Sequence, residues 1–399
     1  MKKAILLSLS IVLSAVFLSG QNKSLSVSDF KFDGPLGCKG ATIEKVGKNH
    51  FKLIPGHAPN HSNWPNMIQF EITGNAKGNT LRLDVDFPVQ DATYHFDDYF
   101  NSWSYDNENW TPVLWREYQH ADSRRSNTLV FQEFKEDKVY AGHQVPLSYV
   151  KLNSLIEEWE KYPEVKVHTL GKSIEGRNIY RLTVTNHAVK SQKWVHYFTN
   201  QHPGEHNAQW RMVGMLEWLL DKKNSAVLDN SICHFVFMMS PDGPSNGWYR
   251  TNAQGVDGNR SYFHAGADKD KQAHEAYICQ KDLEDLMKSD KPVTDIWSMH
   301  TWQGAVEPIL IKGPEIGKEV GEWTKFREIL IKNDTGLLIE PLRVNVEPEK
   351  GNKAYWTYGP YSQFGITAVL CEGAGNFYTK EQNLESGRIL IKSISEYYK

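Results

Sequence analysis

The chain has 399 residues, 40% hydrophobic and 23% charged, with a formal net charge of −3. That length admits two hydrophobic cores. The near balance of charge excludes the basic field of a nucleic-acid binder and the acidic block of a disordered tail.

In chain order, residues 1–20 read as a secretory signal peptide. Lys2 and Lys3 precede an apolar run over 4–18, rather short for a membrane span. The expectation is therefore an exported protein, periplasmic or secreted. Leu18-Ser19-Gly20 is a poor cleavage site, which leaves an uncleaved anchor as the alternative, and no Cys follows the run to carry a lipid. The four cysteines, Cys38, Cys233, Cys279 and Cys371, have the spacing of neither a disulfide framework nor a CxxC metal site. Cys233 and Cys371 sit in apolar runs and read as small buried hydrophobes.

Residues 24–145 contain short β-rich runs at 41–54, 67–72, 81–87 and 128–134, separated by loops of Asn, Gly, Pro and Asp. They predict an all-β sandwich domain. From 146 to 399 strands alternate with helices, predicting an α/β domain built on a mixed sheet flanked by helices. Ser148 is a plausible N-cap for a helix over 149–161. Strands over 165–170 and 178–185 form a hairpin through Glu175-Gly176-Arg177. A buried strand over 194–198 breaks at Pro203-Gly204 and becomes a helix from 205 to 220, with Trp210, Val213, Leu216 and Leu220 as its buried stripe. A strand over 232–239, a helix over 271–288, a strand over 293–299 and a short run at 309–311 follow. The helix over 315–332 is interrupted by Gly317 and Gly321. A strand over 366–371 and a helix over 380–398 close the chain.

Three features fall just after predicted strands, where open α/β sheets place their ligands. They are His202 with Glu205, then His300, then Glu372. Two imidazoles and a carboxylate, with a position left for water, make a catalytic zinc shell. A further carboxylate can act as general base. Each residue alone has a plain structural explanation, such as Glu205 favouring the positive end of its helix. Four of them at the ends of three strands favour one metal site. His202-Pro203-Gly204-Glu205-His206 also spells H-x-x-E-H, in which both histidines bind zinc from one continuous helix. Pro203 and Gly204 place His202 before the helix instead.

These residues resemble the M14 zinc carboxypeptidases. His202-Pro203-Gly204-Glu205 is similar to the family's HxxE signature, Ser173-Ile174-Glu175-Gly176-Arg177 to its S-x-E-G-R hairpin, and Ser240-Pro241-Asp242-Gly243 to its N-P-D-G turn, with Ser240 in place of Asn. The resemblance implies that His300 is the third zinc ligand and Glu372 the catalytic glutamate. It implies that Arg250 stabilises an oxyanion and that Asn259 and Arg260 grip a peptide's C-terminal carboxylate. Tyr355, ahead of Tyr358 and Tyr361, is the candidate for the family's mobile-loop tyrosine. The N-terminal β-sandwich, with Ser104-Tyr105-Asp106, Trp110-Thr111-Pro112-Val113 and residues 139–147, resembles the cytosolic carboxypeptidase branch, which trims acidic residues from protein tails. The signal peptide departs from that branch.

The expected activity is thus zinc-dependent removal of C-terminal residues from peptides or proteins, using one Zn²⁺ ion. The expected partner is a peptide or protein C-terminus, with no nucleic acid and no membrane beyond an uncleaved anchor. A peptidoglycan peptide amidase or carboxypeptidase on the same scaffold is the rival enzyme. A non-catalytic carbohydrate- or peptide-binding protein using its Trp-rich first domain is the rival from another class.

Overall fold

A computed structural model describes residues 23–87, 101–113, 115–117, 126–302, 310–312, 320–334, 350–374 and 379–399. The leader expected over 1–20 lies outside them. Among the described residues no helix is long and apolar enough to cross a membrane.

The N-terminal strands form two five-stranded sheets. One runs Phe30–Lys31, Phe70–Ile72, Val139–His143, Asn101–Ser104 and Thr111–Pro112; the other runs Trp115–Glu117, Ser126–Phe131, Leu81–Asp86, His50–Ile54 and Thr42–Gly47. Leu81, Leu83 and Val85 turn inward while Arg82, Asp84 and Asp86 stay half-buried, the period-2 alternation of a strand with one covered face. Their partners in a single core include Phe70, Ile72 and Val139 from the opposite sheet. This is the sandwich the short β-rich runs predict. A small hairpin, His57–Ala58 with His61–Pro65, stands apart from both sheets.

Beyond them lies a seven-stranded mixed sheet. Its strands are β1 (Val165–Lys172), β2 (Asn178–Val184), β3 (Trp194–Thr199), β4 (Ser231–Val236), β5 (Asp295–Trp302), β6 (Leu310–Lys312) and β7 (Thr367–Ala374), in the spatial order β1-β2-β4-β3-β5-β7-β6. The central strands β4, β3, β5 and β7 are parallel, and the outer pairings are antiparallel. The helices are α1 (Tyr149–Trp159), α2 (His206–Leu220), α3 (His274–Met287), α4 (Val320–Asn333), α5 (Tyr358–Phe364) and α6 (Lys380–Tyr397). Register explains why both faces are covered. Phe198, Trp297 and Val369 lie side by side across β3, β5 and β7, packing in the core shared with α1, α2, α4 and α6. One residue earlier, Tyr197, Ile296 and Ala368 point the other way, into the core shared with α3. A parallel sheet of this kind must be apolar on both sides, which is why its strands lack polar alternation.

Several boundaries move from their expected places. The strands expected to end at 299 and 371 run on through His300 and Glu372, because β5 and β7 keep pairing as far as Trp302 and Ala374. β4 ends at Val236, short of 239. Helix α2 is buried nearly all round, while Leu220 in its expected stripe is only half-buried. Gly321 sits inside α4, which burial of Phe326 and Leu330 anchors despite the weak local propensity. Residues 309 and 315–319, including Gly317, lie outside the described residues. Ser148 caps α1 as expected, accepting from Lys151 N at 3.1 Å. The four cysteines are buried and free.

Helices α2 and α6 cross at the distance of backbone contact. A Cβ on Gly387 would overlap the Arg211 carbonyl, and one on Gly214 would overlap the Leu384 carbonyl. The crossing fixes α2, whose first turn follows Glu205. Gly387→Ala and Gly214→Ala should each lower stability by about 1–3 kcal/mol by overpacking. Gly74→Ala, where a Cβ meets nothing within 4 Å, should leave the thermal midpoint unchanged. Scanning calorimetry of the three variants checks the contrast.

Candidate metal centre

His202 lies past the end of β3, in a turn that only a glycine can complete. Gly204 N donates to the Tyr249 carbonyl at 2.8 Å, and a Cβ on Gly204 would collide with the Tyr249 backbone. Glu205 then occupies the N-cap of α2 without capping the helix by its side chain. Its carboxylate points back across the end of the sheet toward β5. There Oε1 meets His202 Nδ1 at 2.8 Å, and Oε2 meets His300 Nδ1 at 2.8 Å and accepts from Thr301 N at 3.2 Å. The two Nδ1 atoms are 3.1 Å apart. All three side chains are buried, and one ligand atom from each lies within 4.8 Å of the others.

The outer ring nitrogens show which protonation state this arrangement serves. His202 Nε2 donates to Asp257 Oδ1 at 2.9 Å. Ser298 Oγ donates to Gln201 Oε1 at 2.7 Å, so it accepts from His300 Nε2 at 3.0 Å. A neutral ring protonated on Nε2, as His202 is toward Asp257, turns its Nδ1 lone pair to the carboxylate, and His300 does the same when Ser298 takes its Nε2 proton. Three lone-pair donors at such distances repel unless a cation lies among them. The residues present therefore fit a divalent metal ion. Each histidine has the outer hydrogen bond that fixes the ring of a metal ligand.

Charge follows the same pattern. Burial opposes ionisation of Glu205, yet His202 and His300 hold its pKa well below the usual carboxylate range. Asp257 is also buried, and His202, Arg250 and Arg260 lower it likewise. For His202, burial and Arg250 disfavour the charged ring, but Glu205 and Asp257 outweigh them and raise its pKa. His206 is apart from this cluster. Its Nδ1 meets Gln209 Oε1 at 3.1 Å inside α2, and burial pushes its pKa down to about 4. The continuous-helix H-x-x-E-H arrangement is thus not formed.

The remaining predicted residues stand around the cluster. Glu372 is half-buried on β7, directly across from His300 in the parallel β5–β7 pair, so both side chains project from the same face. Arg250 donates through Nε to Asp257 Oδ2 at 2.5 Å. Asn259 turns inward: its Oδ1 accepts from Trp356 N at 3.0 Å, and its Nδ2 lies 3.3 Å from His300 Nε2. Arg260 is exposed, its guanidinium centred 3.8 Å over the Tyr355 ring. Tyr358 and Tyr361 begin α5, and Tyr361 packs against the core beneath the sheet.

Sequence reasoning missed Asp257, Ser298 and Gln201. Asp257 caps the short turn Gly258–Arg260, accepting from Asn259 N at 2.8 Å, while the same carboxylate reaches His202 and Arg250. The available signal was a carboxylate opening a Gly-Asn-Arg turn, which must find partners if buried.

Residues 152–299 match the zinc carboxypeptidase family Peptidase_M14, a span that ends immediately before His300. The chain is 28% identical over 215 residues to an uncharacterized protein of Zymomonas mobilis, covering 53% of this chain and 53% of that protein. It is 33% identical over 142 residues to cytosolic carboxypeptidase 2 of Macaca fascicularis, covering 32% of this chain but only 17% of the relative. The chain thus spans about half or less of the length of these relatives. In fold, a metallo-carboxypeptidase from Burkholderia cenocepacia superposes with a TM-score of 0.76 at 18% identity, over 92% of this chain and 98% of the other. A metallo-carboxypeptidase from Pseudomonas aeruginosa, solved with (2-guanidinoethylmercapto)succinic acid, gives 0.75 at 20%, over 93% and 100%. The strands and turns that gather His202, Glu205 and Asp257 all fall within the span that matches the zinc carboxypeptidase family.

Proposed function

We propose that this protein is an exported zinc metallocarboxypeptidase that removes C-terminal residues from peptides or proteins. The observation that carries the reading is the convergence of His202 Nδ1, Glu205 and His300 Nδ1, 2.8–3.1 Å apart, at the buried end of the sheet. Those three side chains would hold the ion. Bound there, zinc supplies a Lewis acid for the scissile carbonyl and lowers the pKa of a water in its open position.

The chain's own residues do the rest. Glu372, across from His300, takes the proton of the attacking water and later delivers it to the leaving amine. Arg250, steadied through Nε by Asp257, stabilises the oxyanion. Arg260 is the exposed member of its pair and grips the terminal carboxylate through a planar, bidentate guanidinium. Tyr355 contributes to substrate binding by supporting that guanidinium from beneath. Asn259 lies next to Arg260 but is 5% exposed, so it meets a substrate carboxylate only by exchanging its present bonds.

The direct test is a peptide panel differing only at the C-terminal residue, with amidated controls and muropeptides, read by mass spectrometry on the zinc-loaded protein. Stepwise loss of single residues from free-carboxylate peptides and none from amidated ones is expected. Cleavage at internal bonds, or of muropeptides alone, would contradict the reading. His300→Ala should lose both bound zinc and turnover. Glu372→Gln should keep stoichiometric zinc while kcat drops about 10²–10⁴-fold; loss of zinc in that variant would remove Glu372 from the role of base.

Zinc affinity should depend on pH with a definite sign. The raised pKa of His202 means that protons compete with the ion from above the ordinary value of 6.5, so affinity falls as pH is lowered through that range. Asp257→Ala removes one of the carboxylates that raise His202. It should lower zinc affinity about 10–100-fold at neutral pH and move the onset of competition to lower pH. Chelator competition at several pH values measures both.

A further inference from the structure

The loop over 250–260 carries Arg250, Asp257, Asn259 and Arg260, and its tip reaches solvent. Gln254 and Val256 are exposed. The loop closes on itself through Asn252, whose Oδ1 accepts from Gln254 N at 2.9 Å and Val256 N at 3.1 Å, and through the Thr251–Asp257 bridge. Those bonds set its shape but not its direction. The loop's C-terminal end is held by Asp257 on His202 and by Asn259 on Trp356, and its tip by two further contacts. Helix α3 supplies Glu275, which accepts from Asn252 Nδ2 at 2.6 Å. The hairpin of the N-terminal strands supplies the other.

That hairpin holds two successive carbonyls of the loop. Asn60 Nδ2 donates to Gln254 O at 3.0 Å, and His61 Nε2 donates to Gly255 O at 2.8 Å. Gly255 has a φ of +73°, and a Cβ there would overlap the Pro59 carbonyl, so the two chains meet backbone to backbone. The donors are set before they meet the loop. Asn60 takes the left-handed conformation at the hairpin tip, with φ +61°. The His61 ring stacks on Trp64 with centroids 4.0 Å apart and planes 10° apart.

We propose that the hairpin His57–Ala58/His61–Pro65 is a positioning clamp for the substrate-binding loop, with His61 its principal positioning residue. His61 touches no reacting group; it acts through Gly255 on the aim of Arg260. The N-terminal strands thereby share in binding the substrate's C-terminal carboxylate. The kinetic consequence rests on the carboxypeptidase reading given above, whereas the conformational one does not.

Two measurements on the full-length, zinc-loaded chain separate these. By hydrogen–deuterium exchange, His61→Ala should speed exchange of amides within 252–260 while protection in α2 and β3 is kept. By steady-state kinetics it should lower kcat/KM about 10-fold or more, almost entirely through KM, with kcat within about 3-fold of the parent. His61→Gln, whose amide can donate to the same carbonyl, should restore most of both. Asn60→Gly, which keeps the left-handed turn and removes one bond, should give a smaller change of the same kind should His61→Ala fold poorly. Unchanged loop exchange in His61→Ala and Asn60→Gly would overturn the clamp, as would loss of protection spread evenly over the fold. If the parent protein releases no C-terminal residue, the carboxypeptidase reading falls and the exchange result still decides the clamp.

Discussion

The structure depends on one electrostatic constraint. Two imidazole lone pairs and a carboxylate are pressed together at the end of a buried sheet, with the two Nδ1 atoms 3.1 Å apart. A protein interior does not hold such donors together without opposite charge, because burial removes the water that would otherwise screen them. The surrounding hydrogen bonds make the arrangement deliberate. Asp257 and Ser298 engage the outer nitrogens, so moving a proton inward onto either Nδ1 would remove it from an outer hydrogen bond.

The fold keeps this cluster from relaxing. His300 stands on β5, inside the sheet and between β3 and β7, while Glu205 opens α2. Helix α2 is pinned by its crossing with α6, where glycines bring the two backbones into contact. Asn200 ties the turn after β3 to β5 by donating to Met299 O at 2.8 Å. Ligands from a turn, a helix start and a strand are thus fixed by three different sets of contacts. A shift of any one element would open the cluster.

Much of this was legible in the sequence because it rests on periodicity and punctuation. Apolar runs marked the parallel strands, Pro203-Gly204 marked the break before α2, and the chemistry-bearing residues followed each run. The strand ends were misjudged at His300 and Glu372, since polar residues there look like loop while backbone pairing carries the strand onward. Asp257 was not legible. Its role appears only when its loop closes over His202, and no spacing rule links residues 55 positions apart. The hairpin at Asn60 and His61 was hidden for the same reason, its partners lying 194 positions away. Aromatic abundance was ambiguous between cleft and core; Trp297 and Trp356 prove to be fully buried core residues.

X-ray absorption spectroscopy of the zinc-loaded protein tests the central claim most directly. The account predicts one zinc ion per chain, with two imidazole nitrogens and at least one carboxylate oxygen at about 2.0–2.2 Å, and room for a solvent oxygen. The imidazole contribution should drop by half when His300 is replaced by alanine, if any metal is retained. A protein that binds no stoichiometric zinc, or a shell that keeps both imidazoles without His300, would contradict it.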